Sequence, residues 1–176
     1  SIENYDKSIF LNPNHFWAYY GLARCYDKLN IHDKAIYNYE QMINAFPLLP
    51  ELYIDLGKIY SQELKDKDKG ISVYKRGTDL VEDAYLYALL GSDYFNEGKY
   101  EEGIESCNSA IQLSPNYASA HSTLGGCYQR LKNYDKARTC YEKVLEIDSN
   151  EGRGYYGLGH LLIDEGKYEK AIEKFN

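Results

Sequence analysis

The chain has 176 residues, 44% of them hydrophobic and 15% aromatic, with 27 acidic and 20 basic side chains and a net charge of −7. That apolar share is enough for a buried core, while an isoelectric point near 5.1 argues against a surface that tracks nucleic-acid phosphates. The sequence shows no secretory leader, no Asn-x-Ser/Thr sequon and no apolar run long enough to cross a bilayer.

One spacing organises everything between the termini. Leu22, Leu56, Leu90, Leu124 and Leu158 lie 34 residues apart, and Gly57, Gly91, Gly125 and Gly159 follow four of them, with Ala23 after the first. Tyr26, Tyr60, Tyr94 and Tyr128 keep the same interval, continued by Leu162. So do Tyr19, Tyr53, Tyr87 and Tyr155, with His121 in the one interrupted place. A fixed period of this length marks one supersecondary unit repeated along a solenoid. Within a unit the Leu, Gly and Tyr columns fall on one helical face, and Ala137, Tyr141 and Val144 form a second stripe further on. Each unit therefore reads as two antiparallel helices whose open faces are closed only by stacking.

In chain order, residues 1–15 read as the second helix of a partial unit, with Asn12-Pro13-Asn14 as its closing turn. Full units follow at 16–49, 50–83, 84–117 and 118–151, and 152–176 is a further partial one, together forming one continuous array over 1–176. Gly98, Gly166 and the Lys132-Asn133 pair mark turns between paired helices. Asp33, Glu101, Asp135 and Glu169 open second helices, where the positive helix end favours them. Pro50 and Asn116 suit first-helix starts. The unit 50–83 is irregular: its small residue, Gly70, comes one position late after Lys65-Asp66-Lys67-Asp68-Lys69, and Val81-Glu82-Asp83 is one residue short. This predicts a slightly longer, solvated turn near 65–70, with a partner-binding loop as the lesser reading.

The columns resemble the tetratricopeptide repeat (TPR) family over essentially the whole chain. The clearest copy is Tyr87, Leu90-Gly91, Tyr94, Gly98, Tyr100, Gly103-Ile104, Ala110 and Pro115. The resemblance implies an all-α fold, a right-handed superhelical α-solenoid of antiparallel helix pairs. It also implies a concave groove, lined by first helices, that accepts a peptide or partner domain. Carried onto this chain, the groove positions are Trp17, Tyr20 and Arg24, then Glu51, Asp55 and Lys58. Next come Tyr85, Ser92 and Asn96, then Ser119, Ser122 and Arg130, and last Arg153, Tyr156 and His160. Trp17, the only tryptophan, is either an anchor in this groove or packed beneath the Tyr5–Leu11 helix. The Lys/Asn clamp of chaperone-tail TPR domains is absent: its slots hold Tyr20 and Arg24, Asp55, then Tyr85 and Leu89. The asparagine ladder of the glycosyltransferase arrays is absent too, its column reading Gly21, Asp55, Leu89, Thr123 and Gly157.

Motifs for chemistry are weak. Residues 152–157 spell G-x-G-x-x-G, but helical repeat columns surround them where a dinucleotide site needs a strand, so Gly152 and Gly154 are read as loosening a helix start. The histidines (15, 32, 121, 160) are scattered, Glu101-Glu102 reads as a solvated helix start, and Cys25, Cys107, Cys127 and Cys140 form no Cys-x-x-Cys pair. The expectation is a non-catalytic interaction scaffold with no catalytic, cofactor or metal site, a protein or peptide partner, and no nucleic-acid or membrane partner. Free thiols suggest an intracellular setting, cytoplasmic or nuclear. Self-association through uncapped terminal helices is compatible with this. The alternatives are the recruiting arm of a larger enzyme and an RNA-reading helical repeat.

Overall fold

The computed structural model describes residues 2–11 and 15–175, with the side chains of residues 6 and 173–175 left aside. The expected Asn12-Pro13-Asn14 turn lies outside the described residues. Every regular element among the described residues is a helix. The chain forms two compact units, residues 1–81 and 82–176.

Unit 1 holds α1 (Ile2–Leu11), α2 (Phe16–Lys28), α3 (His32–Ala45), α4 (Pro50–Lys58) and α5 (Lys67–Thr78). A π turn, Ile59–Glu63, extends α4. Unit 2 holds α6 (Ala84–Asn96), α7 (Tyr100–Leu113), α8 (Ala118–Arg130), α9 (Tyr134–Ile147), α10 (Gly152–Asp164) and α11 (Tyr168–Phe175). Three-residue turns join α2 to α3, α6 to α7, α8 to α9 and α10 to α11, so each pair folds back on itself and packs face to face. In each of these turns the middle residue is left-handed: Asn30, Gly98, Lys132 and Gly166. The next amide then donates to a carbonyl five residues back, as in Ile31 to Tyr26, Lys99 to Tyr94, Asn133 to Tyr128 and Lys167 to Leu162. The acceptors are the repeat's Tyr column, continued by Leu162.

The irregular unit departs from the expectation of a longer turn. Its turn, residues 64–66, also has three residues and a left-handed middle, Lys65. The extra residue sits inside the helix: Leu64 donates to Ile59, and the closing bond runs from Asp66 to Tyr60, six residues back. The missing residue comes out of the second helix. α5 has 12 residues where α3, α7 and α9 have 14.

Packing follows the columns. Leu22, Leu56, Leu90, Leu124 and Leu158 are all buried. The glycines beside them give room to the second helix. A Cβ at Gly57 would run into the Tyr74 ring, one at Gly91 into Cys107 Sγ, and one at Gly125 into the Tyr141 ring. Tyr53 and His121 share a column and a bond: Tyr53 donates its hydroxyl to the Pro47 carbonyl at 2.9 Å, and His121 Nε2 lies 2.9 Å from the Pro115 carbonyl. Pro50 occupies the first turn of α4, and Asp33, Glu101, Asp135 and Glu169 occupy first turns of second helices. Asn116 does not cap α8. The residue at that position is Tyr117, and Asn116 lies one residue earlier. The G-x-G-x-x-G run opens α10, where a Cβ at Gly154 would meet Leu145 and one at Gly157 would meet Tyr141. Gly154 therefore serves close packing, which corrects its reading as a loosened helix start.

Candidate interaction surfaces

In unit 1 one carboxylate ties three helices. Tyr20 on α2 and Tyr39 on α3 both donate to Asp55 Oδ2 on α4, at 2.9 Å and 3.3 Å. Burial, then Asp55, pushes the Tyr20 hydroxyl up to about 12 and the Tyr39 hydroxyl higher still. Asp55 and Tyr20, both expected to face a ligand, thus also hold the helices together. The Arg24 guanidinium lies over the Tyr20 ring, 5.7 Å from its centroid.

Two recesses flank this knot. A smaller one, 250 Å³, gathers Arg24, Asp55 and Lys58 with Asp27, Tyr39 and Glu63. A larger one, 1050 Å³, lies between α1 and α2 and gathers Trp17, Tyr20 and Arg24 with Ile2, Tyr5 and Leu29. Trp17 is 69% exposed, which overturns its reading as packed beneath the first helix. Its ring meets Phe16 edge-on at 5.0 Å, and Phe16 meets Phe46 edge-on at 5.1 Å. Glu51 is exposed in the first turn of α4 and lines neither recess.

In unit 2 the first helices α6, α8 and α10 share one groove of 590 Å³. It brings together eight of the expected residues: Ser92, Asn96, Ser119, Ser122, Arg130, Arg153, Tyr156 and His160. Tyr85 stays outside it, exposed at the start of α6 as an electrostatic neighbour of Tyr117. Its lining includes the hydroxyls of Ser92, Ser119, Ser122 and Thr123, while Gly126 and Gly157 make room for the Phe95 and Tyr141 rings.

Several groove residues were not among the expected positions. Tyr141, from a second helix, reaches in and donates to Gln129 Oε1 at 2.9 Å, and Gln129 Nε2 donates to Asp164 Oδ2 at 2.6 Å. This relay joins α9, α8 and α10, and burial pushes the Tyr141 hydroxyl up to about 12. Gln129 is not among the expected groove positions, whereas Asp164 falls one period after Arg130 and two after Asn96, so the period itself could have marked it. Arg153 is gripped by Glu151, Nε to Oε1 at 3.0 Å and Nη2 to Oε2 at 2.9 Å, and these bonds draw Glu151 down to about 2. The rings of Tyr156 and His160 meet at 4.3 Å.

A second feature hidden from the sequence is a thiol cluster. Cys107, Cys127 and Cys140 come from α7, α8 and α9, and all are buried. Burial pushes Cys127 up to about 12, Cys140 to about 11 and Cys107 beyond both, with the neighbouring thiols adding to the rise at Cys107. Protonated thiols do not attack or ligate readily. Among the described residues no group of three His, Cys, Asp or Glu is placed to hold a metal ion, and no helix is long and apolar enough to cross a membrane.

Comparison with known proteins places these surfaces in context. Family models of the tetratricopeptide repeat match residues 4–37, 50–81, 82–150 and 116–176. The chain is 29% identical over 175 residues to the BBSome complex member BBS4 of Bos taurus, which covers 98% of this chain and 33% of that protein. It is 39% identical over 84 residues to RNA polymerase II-associated protein 3 of Xenopus tropicalis, covering 47% of this chain and 13% of the relative. The chain therefore spans a third or less of these relatives. Among solved structures, MamA superposes with a TM-score of 0.77 at 28% identity, over 88% of this chain and 90% of MamA.

Proposed function

The chain belongs to the tetratricopeptide repeat family, and from that premise we propose that it is a non-catalytic scaffold that binds a peptide segment or partner domain in the grooves of its first helices. The observation that carries this reading is the unit 2 groove. Three first helices from successive 34-residue periods bring eight predicted positions to one concave, mixed polar and aromatic surface. Such a surface is preformed, so little ordering cost falls on the scaffold when a partner docks. Arg130 and Tyr156 supply residue types that anchor interfaces. The relatives fit a role in assembly, since BBS4 is named as a member of a complex and RNA polymerase II-associated protein 3 for its association with the polymerase. We read the two units as successive parts of one array, because the leucine register runs unbroken from Leu22 to Leu158. An intracellular setting is part of the same proposal, resting on four free cysteines.

The test is affinity capture from native lysate with the wild type and with Arg130→Glu/Tyr156→Ala, both confirmed folded by circular dichroism. Partners retained by the wild type and lost by the variant support the groove. Equal capture by both overturns it.

A further inference from the structure

The unit 2 groove holds hydrogen-bonding groups that the protein itself leaves unused. Elsewhere in this unit the hydroxyls of Ser106, Ser109 and Thr139 turn back to carbonyls four residues earlier in their own helices. The groove hydroxyls of Ser92, Ser119, Ser122 and Thr123 and the Asn96 amide make no side-chain hydrogen bond among the described residues. The charges divide in the same way. Arg153 is neutralised by its clasp to Glu151, and Asp164 accepts only the neutral Gln129 amide. Arg130 and Asp164 form no ion pair with each other or with any other described residue, although both act on the Tyr141 hydroxyl, in opposite electrostatic senses. They hold the same repeat position on α8 and α10, and Asn96 holds it on α6. α8 packs between α6 and α10, and Arg130 is nonetheless exposed, so this position stays open with a first helix on each side.

We propose that this groove takes an extended segment of a partner protein, held by its main chain and carrying an acidic and a basic side chain three residues apart, the acid at Arg130 and the base at Asp164. The proposal rests on the groove reading above and names the chemistry of the partner. Conformation follows from the unused hydroxyls. Each can both donate and accept, and an extended main chain offers N–H and C=O groups that a helix has already paired within itself. Spacing follows from the helices. Neighbouring packed helices lie about 8–10 Å apart, and a polyproline II chain returns a side chain to the same side after three residues and about 9 Å. A segment crossing α8 and then α10 therefore meets Arg130 and Asp164 with successive side chains of one face. Charge complementarity decides which side chain goes where. A segment of uniform charge would be repelled at one of the two positions, and Asn96 continues the row without asking for a third charge.

The probes are short synthetic peptides of glycine, serine and proline, a composition that disfavours helix. Two carry glutamate and lysine three positions apart, one in each order. One control carries the same two residues side by side, and another has alanine at both places. Amide NMR spectra of the ¹⁵N-labelled protein are expected to show saturable shifts at Ser119, Ser122 and Arg130 with one order of the spaced pair, and at least tenfold weaker binding of both controls. In Arg130→Glu the preferred peptide should lose at least tenfold in affinity, and a peptide with lysine at both positions should gain as much. Ser119→Ala/Ser122→Ala should weaken charged and neutral peptides by the same factor, as loss of main-chain contacts requires. The proposal is overturned by no shift at millimolar peptide while the spectrum remains that of a folded protein, by equal binding of the side-by-side control, by no rescue on charge reversal, or by tighter binding of a helical peptide bearing the same two charges. The capture experiment reads the whole groove, whereas these peptides read its occupant. Groove-dependent capture without peptide binding removes this proposal alone, and equal capture by both proteins removes the groove reading and this one with it.

Discussion

The amide of Asp66 donates to the carbonyl of Tyr60 six residues back, where the other helix pairs described here close five back. The unit thus absorbs an inserted residue as a π turn and leaves the hairpin turn unaltered. Both ends of the insertion stay in register, with Ser61 buried against Gly70.

Deleting exposed Gln62 should therefore convert the π turn to α-helix and restore the five-residue closure. The expected change in Tm is less than about 3 °C, equivalent to ~1 kcal/mol for a chain of this size. Deleting Gln129 at the corresponding stretch of α8 should instead break the register and the Tyr141–Gln129–Asp164 relay, abolishing cooperative melting of unit 2. Circular dichroism melts and amide hydrogen exchange would show whether the two deletions separate in this way.

The glycine columns make a second contrast. Gly125→Ala sets a methyl group against the Tyr141 ring and Gly57→Ala one against Tyr74, and each should cost about 1–3 kcal/mol through overpacking. Gly152 faces nothing within 4 Å at the start of α10, so Gly152→Ala should gain about 0.4–1 kcal/mol by restricting the unfolded chain. Urea denaturation of the three variants distinguishes these signs. Equal destabilisation by all three would refute the packing argument.

Thiol reactivity should divide by burial. In the native protein at pH 8 a disulfide reagent should modify half-buried Cys25 first, while Cys107, Cys127 and Cys140 react at least about a hundredfold more slowly, in step with opening of unit 2. All four should react together in denaturant. Rapid native modification of Cys107 would contradict its burial.

Acid should act on the Glu151–Arg153 clasp. The folded value for Glu151, about 2, lies below its ordinary 4.5, so the clasp favours the folded state above pH 4.5. That contribution fades as pH falls from about 4.5 toward 2. In a carboxyl ¹³C titration Glu151 should titrate near 2 in the wild type and return to the ordinary range in Arg153→Ala. An unshifted Glu151 in the wild type would show that the clasp does not form in solution.

Much of the fold was legible because the same few residues recur at the same contacts. Leu22 through Leu158 mark the buried face, and the paired-helix architecture follows from them. His121 looked like a break in a tyrosine column, yet it reaches the Pro115 carbonyl just as Tyr53 reaches that of Pro47. At these two positions the same hydrogen bond spans six residues, and either ring can make it. The insertion was visible in the late Gly70, but its location was not, because spacing counts residues and does not distinguish a looser helical turn from a longer loop. Groove positions on first helices could be placed from the period. Tyr141 could not, since it belongs to a second helix and enters only after folding. The Cys107–Cys127–Cys140 cluster was hidden for a related reason: its members occupy different columns on three helices.

The left-handed turn residues carry an engineering consequence. Gly98 and Gly166 hold that conformation freely, whereas Lys65 and Lys132 hold it with φ near 60° against the steric preference of an L side chain, at a cost of about 1–2 kcal/mol each. Two hairpins are therefore bent by residues poorly suited to the bend. Glycine at positions 65 and 132 offers a route to thermal hardening that leaves every docking face unaltered.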